Sequence, residues 1–537
     1  MKPRLAALGA LLGATAALLG CSRGDSNVRS GDATQTLHRG IGPDLADLDP
    51  QLATHTADYS VLSSLIEGLV AEDPVDLHPV PGAAERWTVS PDGLTYTFYL
   101  RADARWSSGE PVTAGDFIAS WKRILTPSLG ATTASQLYII QGAEAFNKGD
   151  GAFSQVGLRS PDPRTLAVSL EHSAPWFPSV LSSPAWMPVP ASTIARYGPL
   201  ELRGTPWAVP GRFVGNGPYV LESWRRGQEI VVRASPTYWD RARLRLREIH
   251  FHAFESIDAE ERAFRAGQLH VTETIPPERI DAYRRDAPRL LRIDPLLGTY
   301  FLRVNVRRPG LNDSRIRLAL ALAIDRAALV DRVLRAGQKP AYSFTPRGIG
   351  AYMPEPVQRL DAEGARRLLA EAGRAGGGGL PHLTLLYNSS DVHRVVAEAL
   401  QEMWRRELGI QVSILNEELK GTLEARRTGA YDLLMSSWIA DYEDPSAFLN
   451  LWRGDDGDNF TGWSSGDYDA LLFSAARTAP GEARDALFGR AERLLLGEAP
   501  VIPLYHYTHA FLIQPSVKGW HPTLLDHHPY RGVWLGD

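Results

Sequence analysis

A single cysteine, Cys21, in 537 residues leaves no possibility of a disulfide within the chain. No Walker A sequence is present, and Gly40-Ile41-Gly42 and Gly215-Asn216-Gly217 lack the third glycine of a dinucleotide fingerprint. The 14 histidines form no H-E-x-x-H motif and no Cys/His zinc spacing; His506/His509 and His527/His528 read as surface or satisfied core side chains. Neither a cofactor nor a metal is therefore expected. A formal net charge of -5 gives a nucleic-acid partner no electrostatic support. A long apolar run is missing too, since the Leu/Ala/Gly stretch at residues 5–19 is too short to span a bilayer comfortably.

That stretch follows Lys2 and Arg4 and ends in Leu18-Leu19-Gly20-Cys21, the layout of a secretory signal. Its last four residues resemble the lipobox of bacterial lipoproteins. The resemblance implies removal of residues 1–20, acylation of the Cys21 sulfur and a stable membrane anchor, because two or more acyl chains hold where one does not. Residues 21–35, polar and rich in Gly, Ser and Asp, read as a flexible tether. The remaining chain has a globular composition, 44% hydrophobic and 22% charged, with length enough for several domains.

Local signals place the elements. Thr95 to Leu100 alternates like a half-buried strand. Thr113 and Asp116 form a capping box for a helix with Phe117, Trp121 and Ile124 on one face. Asp313 caps one long helix running through Leu320, Ile324, Val330 and Leu334 to Gly337, and Asp361 caps another. Residues 382–438 read as β-α-β-α-β, a pattern that favours parallel strands and right-handed crossovers. The strand ends at Tyr387 to Asp391 and Ala440 to Asp444 then share one rim, where open α/β sheets hold ligands. The rim segment Ser437-Trp438-Ile439-Ala440-Asp441-Tyr442-Glu443-Asp444-Pro445 joins acids and aromatics but carries no nucleophile.

Gly462-Trp463-Ser464-Ser465-Gly466 matches a hydrolase nucleophile elbow, yet it follows the loop-like Asp455-Asp456-Gly457-Asp458-Asn459 rather than a strand. Ser465 or Asp467 reads better as a helix cap. The expectation is a binding protein rather than an enzyme, with a serine hydrolase using this segment as the alternative from another class.

Several segments in order resemble the extracytoplasmic solute-binding proteins of peptide ABC transporters, family 5, of the oligopeptide-binding type. They are Asp47-Leu48-Asp49-Pro50, Glu67-Gly68-Leu69, Trp106 to Phe117, Asn216-Gly217-Pro218-Tyr219, Ser235-Pro236-Thr237-Tyr238-Trp239, Asn312 to Arg317 with Ala323-Ile324-Asp325-Arg326, Leu386 to His393 and the rim segment. The resemblance spans nearly all of residues 36–520. It implies an α/β, two-lobed periplasmic-binding-protein fold (class II, "Venus flytrap") with an additional inserted domain. The implied division is lobe I at 36–66, 188–297 and 506–537, the insertion at 67–187, and lobe II at 298–505. It further implies a periplasmic, monomeric, lipid-anchored receptor that holds short peptides between its lobes and delivers them to an inner-membrane ABC permease. The same fold in relatives takes a murein peptide or a metal or haem complex.

By the same resemblance, Asp441 pairs with the peptide α-ammonium, with Trp438 and Ala440 shaping the first pocket. Ser437, Asn388, Asn216, Gly217 and Thr56 join them at the ligand, and His393 and Arg426 meet a ligand carboxylate. Leu419 and Met435 stand where well-known oligopeptide binders carry Trp and Arg, which implies a less charged, more pliable wall. Glu443 and Asp444 read as loop scaffolding.

Overall fold

Alternating apolar and polar residues build the first lobe around a four-stranded sheet. Its spatial order is Thr36–Gly40, Glu248–His252, Glu229–Ala234 and Tyr219–Arg225, the first pair parallel and the others antiparallel. The structure is a computed structural model that describes residues 26–53, 56–454 and 458–536. Cys21 and the signal segment lie outside the described residues. Because side chains alternate along a strand, Leu37, Ile249, Phe251, Ile230 and Val232 share one face, packed with Val61, Leu62 and Leu65 of the helix Thr56–Leu65. The other face carries His38, His250, His252 and Glu229. Burial and its histidine neighbours lower the His38 pKa to about 3.

Residues 26–35 are not the expected tether. Asn27–Thr34 is a helix, and Ser26 caps it by accepting from the Arg29 N–H. Ser26 Oγ also donates to the Gly267 carbonyl at 2.8 Å, and the Gln35 amide exchanges hydrogen bonds with the Leu535 backbone at 2.6 and 3.1 Å. Partners hundreds of residues downstream order a segment whose composition alone reads as loose.

The insertion carries its own four-stranded sheet, in the order Ala84–Val89, Thr95–Leu100, Thr165–Ser169 and Leu158–Asp162. Asp116 accepts from the Thr113 N–H at 2.8 Å and starts the helix Ala114–Leu125 as its sequence predicts. Phe117, Trp121 and Ile124 of that helix enter a core with Phe98, Phe177 and Trp186.

The second lobe holds a six-stranded sheet, ordered Lys339–Pro340, Val501–Leu512, Leu291–Val304, Leu433–Ile439, Leu383–Asn388 and Val412–Glu417. Leu383–Asn388 runs parallel to both of its neighbours, so the β-α-β-α-β reading and its common rim hold. The expected long helix after Asp313 does not form as one piece. Ser314–Leu322 ends, Asp325 recaps Arg326–Ala328 by accepting from the Ala328 N–H at 2.9 Å, and Leu329–Leu334 continues as a π-helix. The cause is Arg326, fully buried and donating to the carbonyls of Pro503 and Ala321 at 2.7 and 3.0 Å, which fixes the backbone at the break.

Two long strands, Leu291–Val304 and Val501–Leu512, pair antiparallel across both lobes. Phe511 joins the first-lobe core, whereas Leu302 and Ile502 belong to that of the second. The register breaks between Pro295 and Thr299. At this break the rim loop is hung: the Ala440 N–H donates to the Leu297 carbonyl at 2.9 Å.

Candidate interlobe binding site

A cavity of about 380 Å³ opens where the three cores meet. The first lobe gives Tyr59 and Glu273, the insertion Gln136 and Ala185, and the second lobe Ile439, Ala440 and Asp441. His509 of a crossing strand and Leu525, Asp526 and His527 of the C-terminal tail complete the wall. Asp441 follows directly on a strand end, which aims it at this space. Its side chain is open to the cleft, and it has no hydrogen-bond or ion-pair partner among the described residues. Protein nonetheless surrounds it on most sides. That enclosure raises the pKa of its carboxyl, and His527 only partly opposes the shift.

Much of the rest of the wall is held by polar contacts. Glu72 accepts from Tyr59 Oη at 2.5 Å, from Ser182 Oγ at 3.0 Å and from His527 Nδ1 at 2.8 Å. Burial pushes Glu72 up, but His527 and these hydrogen bonds bring its pKa below the ordinary value. The Tyr59 and His527 rings stack at 3.6 Å. His509 donates from Nε2 to the Glu273 carbonyl at 2.6 Å and sets Nδ1 2.9 Å from Asp526, whose charge outweighs burial and raises the His509 pKa to about 9. The insertion touches the rim loop through Trp176, stacked on Tyr442 at 4.4 Å.

The predicted site residues divide. Ala440 and Asp441 line the cavity together. Trp438 is turned onto the second-lobe aromatic core, donating from Nε1 to the Ala447 carbonyl at 2.8 Å, and its neighbour Ile439, half exposed, lines the cavity instead. Ser437 is exposed, and its hydroxyl meets Tyr507. Asn388 ends its strand with its carbonyl on the His393 ring, which stacks on Tyr300 at 5.0 Å. Arg426 lies over the Phe460 ring at 4.9 Å. None of these last four lines the cavity with Asp441.

Asn216, Gly217 and Met435 are packed into the scaffold. The Asn216 amide is buried and committed to the Glu67 backbone, accepting from its N–H at 3.0 Å and donating to its carbonyl at 2.8 Å. Gly217 presses on the preceding helix, where a Cβ would come within 2.5 Å of the Leu65 carbonyl carbon. This pair locks a turn to the helix end, and neither residue lines the cavity with Asp441. Met435 is no pliable wall either, being 3% exposed within the second-lobe core, while Leu419 is exposed. The Thr56 side chain lies outside the described residues.

Ser465 caps Gly466–Ala476 by accepting from the Tyr468 N–H, as expected. Ser464 is exposed in the preceding loop, and no histidine among the described residues hydrogen-bonds it. The wall residues that sequence reasoning missed include Tyr59, Glu273, Ile439, His509, Asp526 and His527. The tail residues have no periodicity that could have marked them.

Two α/β lobes, an inserted domain and an interlobe cavity holding an acid with no partner among the described residues define a solute-binding protein of the extracytoplasmic kind. The chain belongs to the bacterial extracellular solute-binding proteins, family 5, whose profile ("family 5 Middle") matches residues 78–460. It is 34% identical over 495 residues to the periplasmic oligopeptide-binding protein OppA of Escherichia coli (strain K12), covering 90% of each chain. It is equally 34% identical over 495 residues, again with 90% coverage of each, to the periplasmic murein peptide-binding protein MppA of the same strain. The solved structure of MppA in its unliganded open form superposes with a TM-score of 0.83 at 33% identity, over 94% of this chain and 97% of that one. Among the described residues no helix is long and apolar enough to cross a membrane.

Proposed function

We propose that this protein captures short peptides by their free amino terminus in the interlobe cavity and hands them to an inner-membrane ABC permease. The observation that carries this reading is Asp441, a carboxylate with no partner among the described residues on the wall of the interlobe cavity. A peptide α-ammonium brings one positive charge and three donors, and it needs a charged acceptor once water is excluded. Leu296 also lines a second cavity of about 720 Å³ that carries Lys339, Arg347 and Arg359, which suits the carboxylate end of the same ligand. Peptide main chain adding to the rim strand would supply sequence-independent affinity.

Calorimetry with free and N-acetylated tri- and tetrapeptides tests the reading. Binding of the free peptides alone is expected, and equal affinity for both forms removes Asp441 from the role. A murein peptide as the natural ligand is the second reading, supported by the equal identity to the oligopeptide- and murein-peptide-binding relatives. Mass spectrometry of ligand released from natively purified protein separates the two.

The reading needs lobe I at 36–66, 188–297 and 506–537, the insertion at 67–187 and lobe II at 298–505; the separate hydrophobic cores support that division. It also takes the described state as the open one, in keeping with the exposure of Asp441. Anchoring as a monomer through acylated Cys21 in the periplasm completes the proposal, and intact-mass measurement of the membrane-extracted chain checks the anchor.

A further inference from the structure

We propose that His38, His250 and His252 form a binding site for a borderline transition-metal dication, with Zn²⁺ as its probe, on the outer face of the first-lobe sheet. His38 is more than 200 positions from the other two in sequence, and the sheet brings them together. Thr36–Gly40 and Glu248–His252 pair in parallel with His38 opposite His250, and His252 stands two residues on along the same face. Ligating atoms of all three rings lie within 4.8 Å of one another, and His38 Nδ1 is 3.0 Å from His252 Nε2. Two imidazole nitrogens on one tetrahedral zinc, at about 2.0–2.1 Å each, stand roughly 3.3 Å apart. The pair is thus already at ligand spacing, and His250 needs only a small ring movement to join it.

The surroundings are those a metal-bound histidine uses. Glu229 faces His252 across the antiparallel ladder, and its Oε2 lies 3.8 Å from His252 Nδ1 and 3.6 Å from His250 Nδ1. With Nε2 turned to the metal and Nδ1 toward a carboxylate, His252 adopts the carboxylate–histidine–metal arrangement that fixes ring orientation and raises ligand basicity. Glu248 Oε2 lies 3.5 Å from His250 Nε2. A fourth ring, His270, is committed elsewhere: its Nδ1 accepts from the His38 N–H at 3.0 Å, which steadies the His38 backbone. His250 and His252 keep about a fifth of their side-chain surface open, which gives an ion a route in from solvent. On metal entry, the proton between His38 and His252 moves to the far nitrogen of its own ring, so both facing nitrogens become ligands and no net charge is released. None of these residues lines the interlobe cavity, so the site is independent of peptide capture.

Titration of the full-length chain with ZnCl₂ in a non-chelating buffer, followed by calorimetry and by X-ray absorption at the zinc edge, tests the proposal. One tightly bound zinc with imidazole ligands is expected. Affinity should fall by about 100-fold or more in H250N/H252N and by about 10–100-fold in Glu229→Gln. It should be unchanged in His78→Ala, which removes the surface cluster Asp73, Asp76 and His78, and in Asp441→Asn. The proposal is overturned if the wild type binds no zinc, if H250N/H252N keeps wild-type affinity, or if His78→Ala or Asp441→Asn abolishes binding. Should H250N/H252N fail to fold, the absorption spectrum of the wild type decides: two or more imidazole ligands support the site, and fewer overturn it.

Discussion

Asp441 and Asp444 lie three residues apart in one loop and have opposite surroundings. Asp444 is buried, receives both Arg484 guanidinium nitrogens at 2.6 and 3.0 Å, and accepts from the Ser446 N–H at 2.9 Å. Asp441 faces the cavity with no partner among the described residues, and enclosure raises its pKa. Between them Glu443 is pushed up to about 7, by burial first and then by Glu72 and Asp76. A carboxylate whose lone pairs are all used can only hold structure. One left enclosed and unpaired is free to recognise a cation, and the loop keeps one of each kind.

The contrast breaks most visibly at Arg484. Arg484→Met leaves Asp444 buried without its partner, and urea denaturation should show a loss of about 3–5 kcal/mol. A loss under about 1 kcal/mol would mean that water replaces the guanidinium. Asp441→Asn should do the reverse. Affinity for a free-terminus peptide should fall by about 2–5 kcal/mol, with folding stability held within about 0.5 kcal/mol. If the two variants destabilise alike, the division between scaffold and site collapses.

Asn216→Ala sharpens the comparison from another element. It strands the Glu67 backbone groups and should cost about 1–3 kcal/mol in thermal unfolding, with peptide affinity of the folded protein unchanged. The smallest effect is on pH dependence. Asp526 holds the His509 proton up to about 9, against an ordinary 6.5, so the folded chain keeps a proton that the unfolded chain releases. That stabilisation is whole below pH 6.5 and is lost as pH rises through about 9. Melting temperatures across this window should decline, and Asp526→Asn should flatten the slope.

What the sequence made legible was local. Ser465 and Asp361 begin helices because the side chain accepts from a backbone N–H three residues on, and Asp116 does so by accepting from the Thr113 N–H three residues back. The parallel rim followed from element order, and it placed Asp441 correctly without any knowledge of the opposite wall. What escaped was set by distant partners. The buried Arg326 breaks a helix whose periodicity runs on, and the Gly267 carbonyl orders residues that read as a tether. The structural tie of the Asn216 turn is to Glu67, 149 residues away. His527 and Asp526 enter the cavity from a tail with no regular pattern, and His38 meets His252 only because a sheet joins them.

The paired strands Leu291–Val304 and Val501–Leu512 also determine when this chain can fold. The second of them supplies Ile502 and Leu504 to one lobe and Phe511 to the other, although most of each lobe precedes it in the chain. Until it arrives, the six-stranded sheet lacks an inner strand and the first lobe lacks its closing side chains. Neither lobe has a complete core before then, so a chain stopped short of residue 500 should be protease-sensitive in both lobes, whereas the insertion, whose core is its own, should resist. Two lobes that share a strand in this way complete their cores in one step rather than in turn.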